Sequence, residues 1–173
     1  MITLINATNR QDNKTRVVID AYAKLLQKAG FETQIFDMAE LPVDFIFSAS
    51  YGQKSPQMDA IIRNRLDPAN KLVVVSPEYN GSYPGVFKAF IDAIHPKHFH
   101  GKKAALVGVA SGRAGNLRGM DHLTDVFHHL GVEVLSFKVP ISKLENLLNE
   151  KGELVDEDTL AVLNKQIRRL ESF

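Results

Sequence analysis

The sequence predicts an α/β fold in which one parallel sheet lies between two layers of helices. Short apolar runs alternate with segments of helical period along the whole chain, which is the pattern of repeated βα units. With 173 residues and 45% hydrophobic side chains, the chain is long enough for one domain over 1–173 that buries roughly 70% of its unfolded surface. It contains no internal repeat, low-complexity tract or linker-like segment.

Five strands are predicted, and their hydropathy indicates their order in the sheet. The runs at 2–5, 72–75 and 104–110 are apolar almost throughout, as in strands that helices cover on both faces. The runs at 33–36 and 132–137 mix polar and apolar residues, which is typical of edge strands. Edge positions for the second and fifth strands favour the order 2-1-3-4-5, that of a flavodoxin-like three-layer sandwich, over 3-2-1-4-5.

Five amphipathic helices are predicted between and after these strands. Each has apolar residues three and four positions apart on one face, in the segments 17–29, 57–66, 86–94, 120–130 and 160–170. Gly30 and Gly131 follow the first and fourth segments and can end those helices as left-handed C′ residues. The remaining long stretch, 38–55, is expected to be a surface loop beside the functional site.

The composition excludes several classes of function. Lys and Arg total 21 and Asp and Glu total 20, for a formal net charge of +1, so no field of one sign attracts nucleic acid or an anionic membrane. The absence of cysteine excludes disulfides, thiolate nucleophiles and cysteine-ligated metals, so redox chemistry here requires a cofactor. No apolar run approaches the roughly 18 residues of a membrane span, and the N-terminus lacks a signal-peptide pattern. We expect a cytoplasmic protein without nucleic-acid or membrane partners.

Three loops follow the central strands at the edge of the sheet where ligands of such folds bind. The first, 6–15, places Thr8, Arg10, Asn13, Lys14 and Thr15 around a helix N-terminus, which favours a phosphate. Neither GxxxxGK[ST] nor GxGxxG is present, which argues against nucleoside triphosphate hydrolysis and a Rossmann dinucleotide site. The alternative is a polar loop in which Asn13 or the neighbouring aspartate only caps the helix.

The second and third loops have compositions suited to a planar ligand. In the second, 76–85, two prolines stiffen a turn that also holds two glycines and two aromatic residues; its candidate contacts are Pro77, Glu78, Tyr79 and Asn80. The alternative is a rigid turn with both tyrosines packed at the surface. The third loop, 111–119, is glycine-rich where backbone would approach a ligand closely, and its candidates are Ser111, Gly112, Arg113 and Gly115.

These residues resemble a known family. Pro77-Glu78-Tyr79-Asn80, followed by Pro84-Gly85 and the segment 87–92, is similar to the PEYN…PG…LKNAID block of the NADPH-dependent FMN reductases, which have a flavodoxin-like fold and include quinone, azo-dye and chromate reductases. The first loop is similar to the GSxRxxSxN/T phosphate loop of that family, with Ala7 in place of the glycine and Asn13 in place of a serine.

The resemblance implies that the cofactor is FMN and that NADPH or NADH is the co-substrate. The phosphate would lie in the first loop and the ring against Tyr79, Asn80 and the segment 111–115, with hydride transferred to flavin N5 and no catalytic side chain needed. Electrons would pass to a small-molecule acceptor such as a flavin, a quinone or an azo compound. The family also implies a homodimer or homotetramer. The segment 83–94 is a candidate interface, because its helix has more apolar surface than one face of the sheet needs, at Phe87, Phe90, Ile91 and Ile94.

Other interpretations remain beside this one. A flavodoxin-type electron carrier would share fold and cofactor, although the sequence pI near 8.0 is unlike the acidic carriers, and a non-enzymatic flavin-binding module would use the same loops. A receiver-type signalling domain would need an aspartate where Ser76 ends the third strand. His95, His98 and His100 lie close together, but the intervening proline and lysine favour a polar loop, and no metal site is predicted.

Overall fold

A central parallel sheet organises the chain in the computed structural model, which describes residues 1–50 and 55–173. Its order is β2-β1-β3-β4-β5, with β6 also paired to β4, and all pairings are parallel. The predicted order 2-1-3-4-5 is confirmed, as are the edge positions of the second and fifth strands. The strands are β1 (Ile2–Asn6), β2 (Thr33–Asp37), β3 (Lys71–Pro77), β4 (Lys103–Val109), β5 (Glu133–Val134) and β6 (Val139–Ile141).

The prediction of one continuous fifth strand over 132–137, and so of five strands in all, is wrong. Two short strands, β5 and β6, pair with opposite ends of β4. Between them the amide of Gln166, a fully buried residue, donates from Nε2 to the carbonyl oxygens of Leu106 at 3.0 Å and Phe137 at 2.7 Å. Its Oε1 accepts from Tyr22 Oη at 3.0 Å. The side chain thus satisfies backbone groups where the ladder is interrupted.

Helices cover both faces of the sheet. All five predicted helical segments are confirmed, and Gly30 and Gly131 have the positive φ of C′ residues, 85° and 70°. Within the described residues, no helix is long and apolar enough to cross a bilayer. The helices are α1 (Thr15–Lys28), α2 (Phe45–Ser48), α3 (Pro56–Ile61, continued by a π turn over Ile62–Leu66), α4 (Gly85–Ala93), α5 (Leu117–His129) and α6 (Glu157–Ser172).

The core consists of two apolar layers, one on each face of the sheet. Alternation along β3 sends Val73 and Val75 into the layer beneath α1 and α6, and Leu72 and Val74 into the layer beneath α3, α4 and α5. The apolar face of α4 lies wholly within the second layer. Because Phe87, Phe90, Ile91 and Ile94 are at most 6% exposed, the argument that this face has apolar surface to spare for an interface is wrong.

The stretch predicted as a surface loop, 38–55, is partly structured and partly buried. A 3-10 turn spans Met38–Glu40 and α2 follows it. Met38, Leu41, Phe45 and Ala49 belong to the core, so the prediction of a surface loop is wrong for this part. Residues 51–54 lie outside the described residues.

Candidate functional site

One cavity opens at the carboxyl ends of β1, β3 and β4, beside the N-terminus of α1. Its volume is about 430 Å³, within the usual range of small-molecule sites. All three predicted loops contribute to it, together with a segment after β6 that the sequence did not single out. The lining residues are Arg10, Asp12, Asn13, Lys14, Thr15, Pro77, Glu78, Tyr79, Val109, Ala110, Ser111, Leu144 and Glu145.

Thr8 connects two of the loops that form this cavity. It is fully buried and shares a hydrogen bond of 2.8 Å between its Oγ1 and Tyr79 Oη. The same Oγ1 accepts from the backbone N–H of Arg10 at 3.2 Å. Thr8, predicted as a phosphate contact, therefore joins the first loop to the second and is not among the lining residues.

Asn13 shapes the first loop with both ends of its amide. Nδ2 donates to the carbonyl oxygen of Arg10 at 2.7 Å, and Oδ1 accepts from the backbone N–H of Arg16 at 3.1 Å. A second donor to Oδ1 is Asn6 Nδ2 at 3.2 Å. Asn13 therefore lines the cavity and also satisfies a backbone N–H in the first turn of α1, as the capping alternative expects.

Alanine at position 7 causes no backbone strain. The described residue of this loop that has a positive φ is Asp12, at 54°, and not Ala7. Ala7 instead continues the strand pairing, because its N–H donates to the carbonyl oxygen of Val75 at 3.0 Å. The conformational freedom of a glycine is not needed here.

The charges around the cavity are mixed. Arg10 and Lys14 supply cations, and Asp12, Glu78 and Glu145 supply carboxylates. Lys14 Nζ lies 2.8 Å from Glu145 Oε1, and the two side chains are 56% and 49% exposed. The hydrogen bond from Lys14 lowers the pKa of the Glu145 carboxyl.

The second loop is a tight turn at the end of β3. Tyr79 and Ser82 exchange backbone hydrogen bonds of 2.9 and 3.1 Å, and the two residues between them, Asn80 and Gly81, have φ of 52° and 78°. Asn80 is therefore the exposed tip of the turn and is not among the lining residues. Pro77, Glu78 and Tyr79 do form one wall of the cavity.

The third loop contributes Ser111 directly and its other predicted residues indirectly. Lys143 N–H donates to the Gly112 carbonyl oxygen at 3.0 Å, and Ser142 Oγ donates to that of Arg113 at 2.6 Å. Gly115 has φ of 55°, and a Cβ there would lie 2.7 Å from Pro140 Cβ. A side chain at Gly115, a candidate ligand contact, would therefore meet β6.

Asn116 ties the third loop to the second, a role that sequence reasoning missed. It is fully buried with φ of 61°, and its Nδ2 donates to the carbonyl oxygens of Ser76 and Pro77, each at 3.0 Å. Its Oδ1 has no partner among the described residues. A Cβ at Gly119 would lie 2.1 Å from that oxygen, so the next turn of α5 must carry a glycine.

The donor chemistry of the cavity fits a phosphate joined to a flat ring. Arg10, Lys14 and Thr15 surround the start of α1, which has no acidic residue in its first turn. Asn13 already satisfies the N–H of Arg16 there, and the positive end of the helix dipole favours an anion. Tyr79 and Ser111 line the same cavity on the side of the second and third loops, so the residues present are suited to FMN.

The histidines after α4 have separate partners. His98 Nδ1 lies 2.6 Å from Asp67 Oδ1, and His95 Nδ1 accepts from the backbone N–H of Lys97 at 3.1 Å. His100 lies against Gly131. Within residues 1–50 and 55–173, no group of three His, Asp or Glu side chains could hold a metal ion.

The chain is similar in sequence or fold to several known reductases. The chain is 28% identical over 163 residues to a 2-hydroxy-1,4-benzoquinone reductase from a Burkholderia species, covering 91% of this chain and 87% of the relative. It is 26% identical to an NADPH azoreductase from a Bacillus species, covering 99% and 91%. A flavoenzyme NAD(P)H:(acceptor) oxidoreductase from Paracoccus denitrificans shares the fold, with a TM-score of 0.76, 21% identity and coverage of 97% and 93%.

The match to a family extends across all three loops. Residues 1–145 match the family described as NADPH-dependent FMN reductase, a span that begins with β1 and ends at Glu145, the last lining residue of the cavity. The chain therefore belongs to the NADPH-dependent FMN reductase family and is an oxidoreductase whose flavin is FMN and whose reductant is NAD(P)H.

Proposed function

We propose that FMN binds in the cavity at the carboxyl ends of β1, β3 and β4 and that the enzyme reduces small-molecule acceptors there. The observation that carries this proposal is the convergence of the three loops on one cavity, with cations at the start of α1 and the aromatic ring of Tyr79 beside them. When bound, FMN supplies the redox chemistry, since a flavin takes a hydride from a nicotinamide and passes two electrons on. The protein then has to bind, orient and shield the reactants.

The phosphate end of the site is assigned to the first loop. Arg10 and Lys14 bind the phosphate by charge-assisted hydrogen bonds, and Thr15 and the positive end of the α1 dipole complete the set. Asn13 holds this loop in shape through its bonds to Arg10 and Arg16.

The ring end is assigned to the second and third loops. Pro77, Glu78 and Tyr79 form one wall, and the bond between Tyr79 and Thr8 fixes the phenol in place. Ser111 lies on the other side, in a loop that Gly112 and Arg113 tether to the segment after β6. This arrangement orients the reactants without a protein acid or base, so no catalytic side chain is assigned.

The acceptor is proposed to be a quinone, an azo compound or a free flavin. Support comes from the reductase names of the Burkholderia and Bacillus relatives. Because one cavity serves both substrates, nicotinamide and acceptor would use it in turn, and steady-state kinetics should be ping-pong with inhibition by excess substrate. Intersecting double-reciprocal plots would contradict this shared site.

Assembly and location remain proposals. The family resemblance supports a homodimer or homotetramer, and light scattering that gives a single chain of 19.3 kDa at working concentration would refute it. The apolar face of α4 is already buried within the chain, so a contact through the segment 83–94 would use its partly exposed side chains. The cytoplasmic location stays a prediction from composition.

The decisive experiment identifies the bound flavin and then reduces it. We expect purified protein to be yellow, mass analysis of the denatured protein to recover FMN, and NADPH or NADH to bleach the flavin under anaerobic conditions. Recovery of FAD, or no FMN binding at micromolar concentration, would refute the proposed site. FMN that binds but is not bleached by either nucleotide would leave only a flavin-binding module.

A further inference from the structure

We propose that Glu145 competes with the phosphate of FMN for Lys14 and so determines how tightly the enzyme holds its flavin. The inference rests on the proposed function, because it takes the first loop to be the phosphate site. It concerns a residue outside the three loops, brought to the cavity by the segment after β6.

The backbone around Glu145 holds its carboxylate over the first loop. Leu144 is only 2% exposed and packs in the core layer that contains Val18 and Leu163. Its N–H donates to the carbonyl oxygen of Ala110 at 3.3 Å, and the preceding residue, Lys143, is tied to the third loop. The chain thus presents Glu145 from a fixed position.

The ion pair occupies the cation that an entering phosphate needs. Lys14 directly precedes α1, and its Nζ already lies 2.8 Å from Glu145 Oε1. An anion arriving at the start of α1 therefore meets a neutralised lysine and a carboxylate of its own sign. Asp12 and Glu78 also line the cavity, and among the lining residues that the structure describes the other cation is Arg10.

The pair also explains why affinity, and not folding, is the property affected. Both partners are about half exposed, and such pairs contribute little to the free energy of unfolding. A phosphate carries up to two negative charges near pH 7 and competes strongly for the same lysine. Breaking the pair is therefore a cost of flavin binding that the variant Glu145→Gln removes while keeping a side chain of the same shape.

The test measures FMN and riboflavin affinity of flavin-free protein by fluorescence quenching. Glu145→Gln should lower the dissociation constant of FMN by about 2- to 5-fold, because Lys14 no longer has to leave a partly exposed ion pair. Riboflavin, which lacks the phosphate, should bind equally to both proteins. In a Lys14→Met background the gain from Glu145→Gln should fall below about twofold, because the competition is for that lysine.

Glu150→Gln is the matched control, since Glu150 is exposed, lies five residues further on and is not among the lining residues. It removes the same charge and should leave FMN affinity unchanged. Weaker or unchanged FMN binding by Glu145→Gln would overturn the inference, as would an equal gain for riboflavin or in Glu150→Gln.

Inorganic phosphate separates this inference from the proposed function. At matched ionic strength, phosphate should raise the thermal midpoint of Glu145→Gln more than that of the unchanged protein. If the unchanged protein binds no FMN, the proposed function fails, and the phosphate measurement still decides the role of Glu145. Equal shifts in the two proteins would overturn that role.

Discussion

Replacing Asn116 tests whether the second and third loops are held together by one buried amide. The residue sits in the left-handed region with φ of 61° and donates two hydrogen bonds of 3.0 Å to the end of β3. Asn116→Gly keeps that backbone conformation available and removes only the side chain. Asn116→Ala removes the same amide but keeps a Cβ, in a backbone conformation that disfavours one.

The expected magnitudes follow from these two contributions. Two lost hydrogen bonds amount to about 2 kcal/mol of unfolding free energy, and loss of the unpartnered Oδ1 offsets part of this, so Asn116→Gly should cost about 1 to 2 kcal/mol. Asn116→Ala should cost about 1 kcal/mol more, because a Cβ disfavours the left-handed conformation by roughly that amount.

Urea denaturation followed by far-ultraviolet circular dichroism is the suitable assay, because the chain contains no tryptophan. Each kcal/mol should also lower the thermal midpoint by roughly 2 to 4 °C in a protein of this length. An Asn116→Gly variant as stable as the unchanged protein would show that the amide does not stabilise the loops. Equal stability of the Gly and Ala variants would show that the backbone at this position is unstrained.

Four further variants test the phosphate site, the packing of the third loop and the core. Arg10→Ala should weaken FMN roughly 10- to 100-fold in a titration, through loss of a charge-assisted bond, and Thr15→Val should weaken it less; unchanged affinity would refute the phosphate assignment. Gly115→Val should destabilise the fold, because its Cβ would meet Pro140, and a Gly115→Val protein with normal thermal stability would contradict that packing. Burial raises the pKa of Tyr22. The neutral phenol therefore contributes fully to the free energy of unfolding below pH 10, and this contribution is lost as pH rises. Relative to Tyr22→Phe, the unchanged protein should lose up to about 1.4 kcal/mol per pH unit above 10, and parallel profiles would refute this.

The sheet order was predictable because the hydropathy of a strand reflects how many of its faces are buried. Strands covered on both faces are apolar over most of their length, as β3 is over 72–75, whereas β2 keeps partly exposed positions. The interruption between β5 and β6 was not visible in the hydropathy pattern. At the interruption, the amide of Gln166 in α6 bonds the backbone groups that strand pairing would otherwise satisfy. A single glutamine in an amphipathic helix does not predict this role from sequence.

The candidate site was predictable to the level of loops but not of individual contacts. The position of each loop follows from the topology of the sheet, so the cavity at the ends of β1, β3 and β4 was expected. Whether a residue lines the cavity or supports it depends on tertiary packing. Thr8 supports Tyr79 from below, Gly115 packs on β6, and Glu145 reaches the cavity from a segment without a motif.

The contacts that join the loops differ in strength from one end of the cavity to the other, and this difference makes a further test. Beside the proposed ring site, buried hydrogen bonds from Thr8 and Asn116 fix the second loop to its neighbours. At the phosphate site, the contact between Lys14 and Glu145 is an ion pair open to solvent, and salt screens such a pair far more than a buried bond.

Asn116→Gly should therefore weaken the binding of FMN and riboflavin by the same factor, with little dependence on salt. Glu145→Gln should change FMN alone, by a factor that shrinks as salt is added. Titrations of FMN and riboflavin at low and high salt measure these effects for both variants. If Asn116→Gly weakened FMN alone, or if Glu145→Gln changed riboflavin as much as FMN, the division of the cavity into a phosphate end and a ring end would be refuted.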